Sequence, residues 1–383
     1  MVRNNQTADY IAMVVILLMA VGTVFVFSAS ASISQEINLQ RFYNSPALRQ
    51  ILFFPIACLI IYVVSGFNYR KLKPAESWFK SPVAWLLAIS IVLLILVLIP
   101  QFGTEINSAR RWFRIPVGPV MVSFQPSELA KWAIVFFLAA ASVKFGDSIR
   151  LYWNRFVPLC LIVGGVCGLI VIEDFGTAAF ISFLAFLILI LAGAKLWHIM
   201  SLIPFGVIAS CAAILGSQTR LNRIAAFLEP QKWSGSTAYQ ANQSLIALGS
   251  GGIWGKGLGK GICKYGHLPE DTTDFIFAII GEELGFVGTA VVIGLFIVFV
   301  CLGILVVVRC KDPFGQLLAG GIVLTIAIQA AINIGVVTVV LPTKGIPLPF
   351  VSAGGTGMLL SAVAVGILSN IAGQSAEMSE EEE

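Results

Sequence analysis

Charge is scarce in this chain: Asp, Glu, Lys and Arg make up 11% of its 383 residues, as 24 basic and 20 acidic side chains. The formal net charge of +4 is small and scattered, which excludes a nucleic-acid-binding surface. Histidine is rarer still, with only His198 and His267, too few for a zinc centre. The seven cysteines stand singly, several inside apolar runs (Cys58, Cys160, Cys167, Cys301), and no CxxC pair occurs. Neither a disulfide framework nor a metal site is expected. Long polar stretches are also missing, which leaves no separate soluble domain. The first apolar run is long and lacks a small-residue cleavage site, so no cleavable signal peptide is expected.

What is present is hydrocarbon. Hydrophobic residues make up 58% of the chain, more than a soluble core of this size can hide. Runs of roughly 20 apolar residues recur from end to end, each able to cross a ~30 Å hydrocarbon layer as a helix. The pattern predicts an all-α integral membrane protein of about ten transmembrane helices. They fall at residues 9–31, 47–67, 81–100, 121–146, 153–172, 175–193, 196–216, 273–309, 314–341 and 354–372. The 273–309 stretch is long enough to tilt or to extend beyond the membrane. One long loop, residues 217–273, separates helices seven and eight, and a loop of that length is more often functional than idle. Residues 1–373 read as a single polytopic domain and 374–383 as an acidic, disordered tail.

Loop charge orients the bundle. Arg70, Lys71, Lys73, Lys80, Lys144, Arg150, Arg155, Lys195, Arg309 and Lys311 share one side, which the positive-inside rule makes cytoplasmic together with both termini. The 101–120 loop and the long loop then face outward. Yet these hold Arg110, Arg111, Arg114, Arg220, Arg223, Lys256, Lys260 and Lys264, and the last outer loop adds Lys344. Basic residues placed against the topological bias point to an anionic ligand on the outer face.

Acidic groups meet hydrocarbon in LPEDTTDFIFAIIGEELGFVG, residues 268–288. A carboxylate there is costly unless paired, hydrated or protonated, so chemistry is a ready reason for it. Asp274 is the first candidate for a general base, with Glu270 and Asp271 beside it. An N-cap role is the bland alternative for Asp274. Glu282 and Glu283 read as packing anchors or partners of a buried cation. Glu128 and Lys131 stand at i,i+3 near the start of a helix signalled by Pro126 and Ser127, and their pairing could simply join two helices. Arg110 and Arg111 suit either an anion or an interfacial anchor. Asp174, in the short IEDFGT turn, suits local hydrogen bonding as well as function. Arg220 and Arg223 lie at i,i+3, and GKGLGKG allows close backbone approach beside lysines, which suits a phosphate. Leu341–Gly357 is punctuated by proline and glycine and looks re-entrant; such backbone is tolerated at membrane depth only where it lines a cavity or is covered by protein.

These blocks (ARRWF with QPSELAK, EDFGT, YQANQSLIALGSGGIWGKGLGKG, LPEDTTDFIFAIIGEELGFVG and NIGVVTVVLPTKGIPLPFVSAGGTG) resemble the SEDS family, the FtsW/RodA polytopic proteins of bacterial cell-wall synthesis. The resemblance spans helix one to helix ten, and PTKG at Pro342–Gly345 is more like the division-type FtsW branch than the RodA branch. It implies an inverting peptidoglycan glycosyltransferase that polymerises lipid II at the outer face of the cytoplasmic membrane. A class B penicillin-binding protein, a transpeptidase, and other divisome or elongasome proteins are the implied partners. The family's essential aspartate falls on Asp274, its Glu and Lys on Glu128 and Lys131, and a further aspartate on Asp174. Arg110, Arg111, Arg220 and Arg223, with Gln243, Lys256, Lys344 and Ser352, are the expected substrate contacts. A divalent cation, Mg²⁺ or Mn²⁺, would suit the diphosphate, although no ligand set here demands one. The sequence departs from the family at IED, TTD and SAGGTG, and Gly266 stands near a point where an acidic residue is common. Two other readings are a lipid II flippase, which should spread charges along a path through the membrane, and a non-catalytic scaffold.

Overall fold

The computed structural model of the protein describes residues 6–30, 46–106, 109–117, 120–229, 236–264 and 272–380. Its helices are α1 (Gln6–Ser30), α2 (Pro46–Ser65), α3 (Pro82–Leu98), α4 (Pro126–Phe145), α5 (Val157–Val171), α6 (Phe175–Leu191), α7 (Leu196–Leu215), α8 (Gln218–Leu228), α9 (Ser236–Gly251), α10 (Ile276–Arg309), α11 (Pro313–Val337) and α12 (Gly355–Glu380). Among the described residues, eight helical segments are long and apolar enough to cross a membrane, and α3 and α6 are shorter apolar helices. These occupy the ten expected positions, with α8 and α9 inside the long connection. The chain is an all-α integral membrane protein.

Three boundaries differ from expectation for local reasons. Residues 104–124, expected as loop and helix start, form the antiparallel strands β1 (Thr104–Ile106), β2 (Ala109–Val117) and β3 (Val120–Phe124) in the order β1-β2-β3. Aromatic and β-branched residues dominate β3 and its pairing partner, where Phe113 faces Phe124 and their rings stack at 6.5 Å. The helix begins after them at Pro126, since proline's missing N–H costs nothing at a first helical position. The last helix continues to Glu380, through residues expected to be a disordered tail.

Helix α4 runs through the centre, with every residue from Ala130 to Ser142 buried. It packs against α3, α6, α11 and α12, while α2 lies on α1 and α12 and α9 lies on α10. Helix α7 is peripheral: its buried residues are His198 and Ile199.

Helix α10 is broken at Gly285, whose backbone (φ 68°, ψ −161°) leaves the helical region. The half before the break is buried from Ile276 to Glu283. The half after it, Phe286–Arg309, is about 36 Å long at 1.5 Å per residue and spans the hydrocarbon by itself. A break exposes backbone groups that lipid cannot satisfy. The glycine-rich loop enters to satisfy them. Lys256 N and Gly257 N donate to Glu282 O (3.0 Å) and Glu283 O (2.9 Å), and Phe286 N and Val287 N donate to Gly252 O (2.9 Å) and Ile253 O (3.2 Å). Glycine is required at the contact: a Cβ on Gly255 (φ 77°) would sit 2.2 Å from Glu283 O.

The same loop neutralises both buried acids. Glu282 accepts from Lys256 Nζ (2.7 Å), Ile262 N (2.9 Å) and Cys263 N (3.1 Å). Glu283 accepts from Lys264 Nζ (2.9 Å) and from Ser28 Oγ of α1 (2.8 Å). The glycine-rich loop expected to receive a phosphate therefore wraps the protein's own carboxylates, with Lys256 as the counter-ion of Glu282, while Lys260 is exposed. Glu282 and Glu283 are the packing anchors their position implied.

Removing one member of a fully buried pair strands the other. Lys264→Met should destabilise the protein by about 3–5 kcal/mol, and adding Glu283→Gln should restore part of the loss. Thermal unfolding of the detergent-purified variants checks this; equal midpoints for wild type and Lys264→Met would show that the pair contributes nothing.

Candidate active site

The site is assembled by four parts: the start of α4, the second half of α11, the irregular segment 338–354, and the turn that precedes α10. On α4, Lys131 is almost wholly buried (1% exposed) and donates to Glu128 Oε2 at 2.7 Å. Glu128 faces the first turn of α12, since a Cβ on Gly357 would lie 3.2 Å from its Oε2. A helix N-terminus favours a carboxylate there. Lys131 Nζ also donates to Gln329 Oε1 on α11 (2.9 Å). The pair does join helices, as its bland reading supposed, and it does so through Gln329.

Segment 338–354 is covered by protein in its second half, with Ile346, Leu348, Phe350, Val351 and Ser352 buried, while Val340, Leu341 and Gly345 are exposed. It contains two non-glycine residues at positive φ, Val339 (58°) and Phe350 (65°), a conformation that persists only where surroundings enforce it. The enforcement is visible. Gln329 Nε2 donates to Pro347 O (3.0 Å), Asn333 Nδ2 donates to Ile346 O (2.8 Å), and Leu348 N donates to Ser352 Oγ (2.8 Å).

This segment holds the turn that carries Asp274. Three consecutive carbonyls are bound: Thr272 O by Ala353 N (2.8 Å), Thr273 O by Ser352 Oγ (2.5 Å), and Asp274 O by Asn333 Nδ2 (2.8 Å). Helix α10 starts at Ile276 with Phe275 in the cap position and no side-chain capping bond. Asp274 is thus not the N-cap. Its half-buried carboxylate lies against Gly345, where a Cβ would be 3.2 Å from Oδ2. Glu270 and Asp271 lie outside the described residues.

A second cluster lies around Asp174. It is the N-cap of α6, accepting from Thr177 N (3.1 Å) and Thr177 Oγ1 (3.0 Å). Arg111 Nη1 donates to Asp174 Oδ2 (3.3 Å) and Arg111 Nη2 to Glu173 O. Arg110 N donates to Glu173 Oε2 (2.9 Å), and the Arg110 guanidinium pairs with Glu105 (3.2 Å). Both arginines thus pin the small sheet to the α5–α6 turn. Lys344 enters from the irregular segment: its Nζ lies 5.6 Å from the Phe175 ring centroid, and a Cβ on Gly176 would meet its Cδ at 3.6 Å. Burial lowers the Lys344 ammonium below the usual lysine range, and nearby Asp174 opposes that shift. Adjacent residues, Lys344 and Gly345, thereby border Asp174 and Asp274.

Several expected substrate contacts have other partners. Arg220 Nη1 donates to Ala213 O (2.9 Å) and Nη2 to Val171 O (2.8 Å), clamping the C-terminal ends of α7 and α5 while stacking on Phe175 at 5.6 Å. Arg223 is exposed on α8. Ser352 spends its hydroxyl on the turn, both accepting and donating. Gln243 is half-buried on α9, beside Ser244, which donates to Val337 O (2.6 Å). Conversely, sequence reasoning missed Gln329 and Asn333. Their signal was available: two amides four residues apart in an otherwise apolar span, costly there unless paired.

The Ser352 bridge makes a local prediction. Ser352→Ala should raise amide hydrogen exchange at Leu348 and in the 272–275 turn, with a stability loss of about 1 kcal/mol. Unchanged exchange at these positions would mean that the turn is held elsewhere.

The family model of the FtsW, RodA and SpoVE cell cycle proteins matches residues 8–377. The chain is 37% identical over 376 residues to "Probable peptidoglycan glycosyltransferase FtsW" of Trichlorobacter lovleyi, covering 96% of this chain and 94% of that protein. It is 36% identical over 373 residues to the stage V sporulation protein E of Bacillus subtilis, covering 97% and 98%. Its fold matches a chain solved in a study of how a peptidoglycan synthase complex coordinates polymerization and crosslinking (TM-score 0.74, 24% identity, covering 95% and 97%). It also matches the rod shape determining protein RodA of Thermus thermophilus (TM-score 0.65, 24% identity, covering 94% and 95%).

Proposed function

Because the chain belongs to the family of FtsW, RodA and SpoVE cell cycle proteins, we infer that it is a peptidoglycan glycosyltransferase that polymerises lipid II into glycan strands. The observation that carries the reading is Asp274: a carboxylate spared from capping, on a turn whose three consecutive carbonyls are bound by its surroundings. Such a turn fixes where the carboxylate stands, which is what a general base needs.

The reaction joins the 4-hydroxyl of an acceptor sugar to the anomeric carbon of a lipid-linked donor, with inversion. Asp274 takes the hydroxyl proton, the new C–O bond forms, and the bond to the diphosphate oxygen breaks. A base within about 3 Å of the hydroxyl is required. The departing undecaprenyl diphosphate needs positive charge as it leaves. Lys344 is the best-suited cation: it is partly desolvated, it forms no ion pair among the described residues, and it adjoins Gly345 at the Asp274 carboxylate. Arg111 and Asp174 shape the adjoining wall. Glu128 and Lys131 act as a buried pair behind the turn.

A resident divalent cation does not fit the described donor set. No group of three or more His, Cys, Asp or Glu side chains converges among the described residues, and Glu128 and Asp174 are already held by Lys131 and Arg111. No step is routed through a metal.

The basic residues Arg70, Lys71, Lys73, Lys80, Lys144, Arg150, Arg155, Lys195, Arg309 and Lys311 lie in or beside the connections at one end of the bundle, and the site lies at the other. The positive-inside rule puts that basic end and both termini in the cytoplasm and the site at the outer face of the bacterial cytoplasmic membrane. The partner we expect is a single-pass class B penicillin-binding protein within the division machinery, in line with the FtsW-named relatives. A flippase would string charges across the bundle. Here Lys131, Asp174, Lys264, Glu282 and Glu283, all buried, belong to the site end.

The deciding experiment is polymerisation of labelled lipid II by the purified protein with its transpeptidase partner. Asp274→Asn should reduce glycan strands to background, and Lys344→Met should lower kcat/KM by at least about tenfold, in line with losing one preorganised charge contact. Undiminished strand synthesis by Asp274→Asn would remove the base from the mechanism.

A further inference from the structure

We propose that Gln329 and Asn333 are positioning residues of this reaction, coupling the Glu128–Lys131 pair to the turn that holds Asp274. The proposal rests on the glycosyltransferase reading. The two amides stand one helical turn apart on α11, on one face. Lys131 can only donate, so Gln329 must turn Oε1 toward it, at 2.9 Å, which aims Nε2 at Pro347 O, at 3.0 Å. Asn333 spends its Nδ2 on two carbonyls, Asp274 O and Ile346 O, each at 2.8 Å. An unbroken polar path therefore runs from Glu128 through Lys131, Gln329, Pro347, Ile346 and Asn333 to Asp274. Loss of Gln329 would release Pro347 O, and loss of Asn333 would release the backbone on both sides of the Gly345 contact.

Asn333 adds a second sign of function. It is 1% exposed, and its Oδ1 is buried with no hydrogen-bond partner. A buried acceptor without a partner calls for a specific reason. The side chain is oriented for the sake of the Asp274 turn, at the expense of its own oxygen.

The test is steady-state polymerisation of lipid II by the full chain with its partner, for wild type, Gln329→Met, Gln329→Glu, Asn333→Leu and Asn333→Ser. For each variant kcat should fall about 10- to 100-fold, the loss expected from displacing a catalytic group by roughly 1 Å, with KM within about twofold of wild type. Gln329→Glu keeps an acceptor for Lys131 and replaces the donor to Pro347 O by a charged acceptor, so a lower kcat with the Lys131 contact retained points to the coupling. If Asn333→Leu does not insert, Asn333→Ser carries the comparison. Gln329→Met combined with Lys131→Met should be no worse than Lys131→Met alone, because both break one path. Wild-type kcat in the Gln329 and Asn333 variants, or additive losses with only a lowered thermal midpoint, would make these residues structural and overturn the proposal while leaving the enzyme reading intact. Failure of the wild type itself to make glycan strands would overturn that reading and this proposal together.

Discussion

The requirement that no backbone polar group be left unpaired away from water governs this structure. A bundle of uninterrupted helices would meet it trivially and would have nowhere to do chemistry. This chain interrupts its helices in two places at one end, at Gly285 within α10 and over 338–354 between α11 and α12. At each place another part of the chain supplies the missing partners. The glycine-rich loop splices into α10, and the amides of α11 with Ser352 hold the irregular segment and the Asp274 turn to each other.

Charge follows the same economy. The acids inside the bundle are committed one by one: Glu282 to Lys256, Glu283 to Lys264, Glu128 to Lys131, Asp174 to Arg111 and Thr177. Two pairs brace the splice, one braces the centre, and one braces the sheet against α6. Asp274 is held through its main chain, and its carboxylate lies against Gly345. Lys344 forms no ion pair among the described residues and lies over the Phe175 ring. The proposed base and the proposed cation for a departing anion thus border adjacent residues, Lys344 and Gly345.

Rigidity at the site is built from covalently distant parts. Gln329 and Asn333 lie on α11, Ser352 on the irregular segment and Lys131 on α4, and each contacts a main-chain atom or amide supplied by another element. The strained φ angles of Val339 and Phe350 fall at the two ends of that assembly, as expected where packing overrules local preference. Peripheral α7 takes no part in it.

The sequence by itself determined the ten apolar helices and their approximate positions, and singled out Asp274, Glu128 and Lys131 as candidates, because hydrophobic period and misplaced charge are local properties of the chain. The helix start at Pro126 was legible from the proline itself. Only the tertiary structure decided which polar groups are spent. GKGLGKG has the chemistry of a phosphate cradle, yet long-range pairing turns its Lys256 inward on Glu282, as it turns the nearby Lys264 on Glu283; Ser352 and Arg220 are likewise spent on carbonyls far away in sequence. Gln329 and Asn333, ordinary amides in an apolar helix, gained their role from what lies opposite them. A residue's chemistry is written in its side chain, but whether that chemistry is available depends on partners that folding brings from elsewhere.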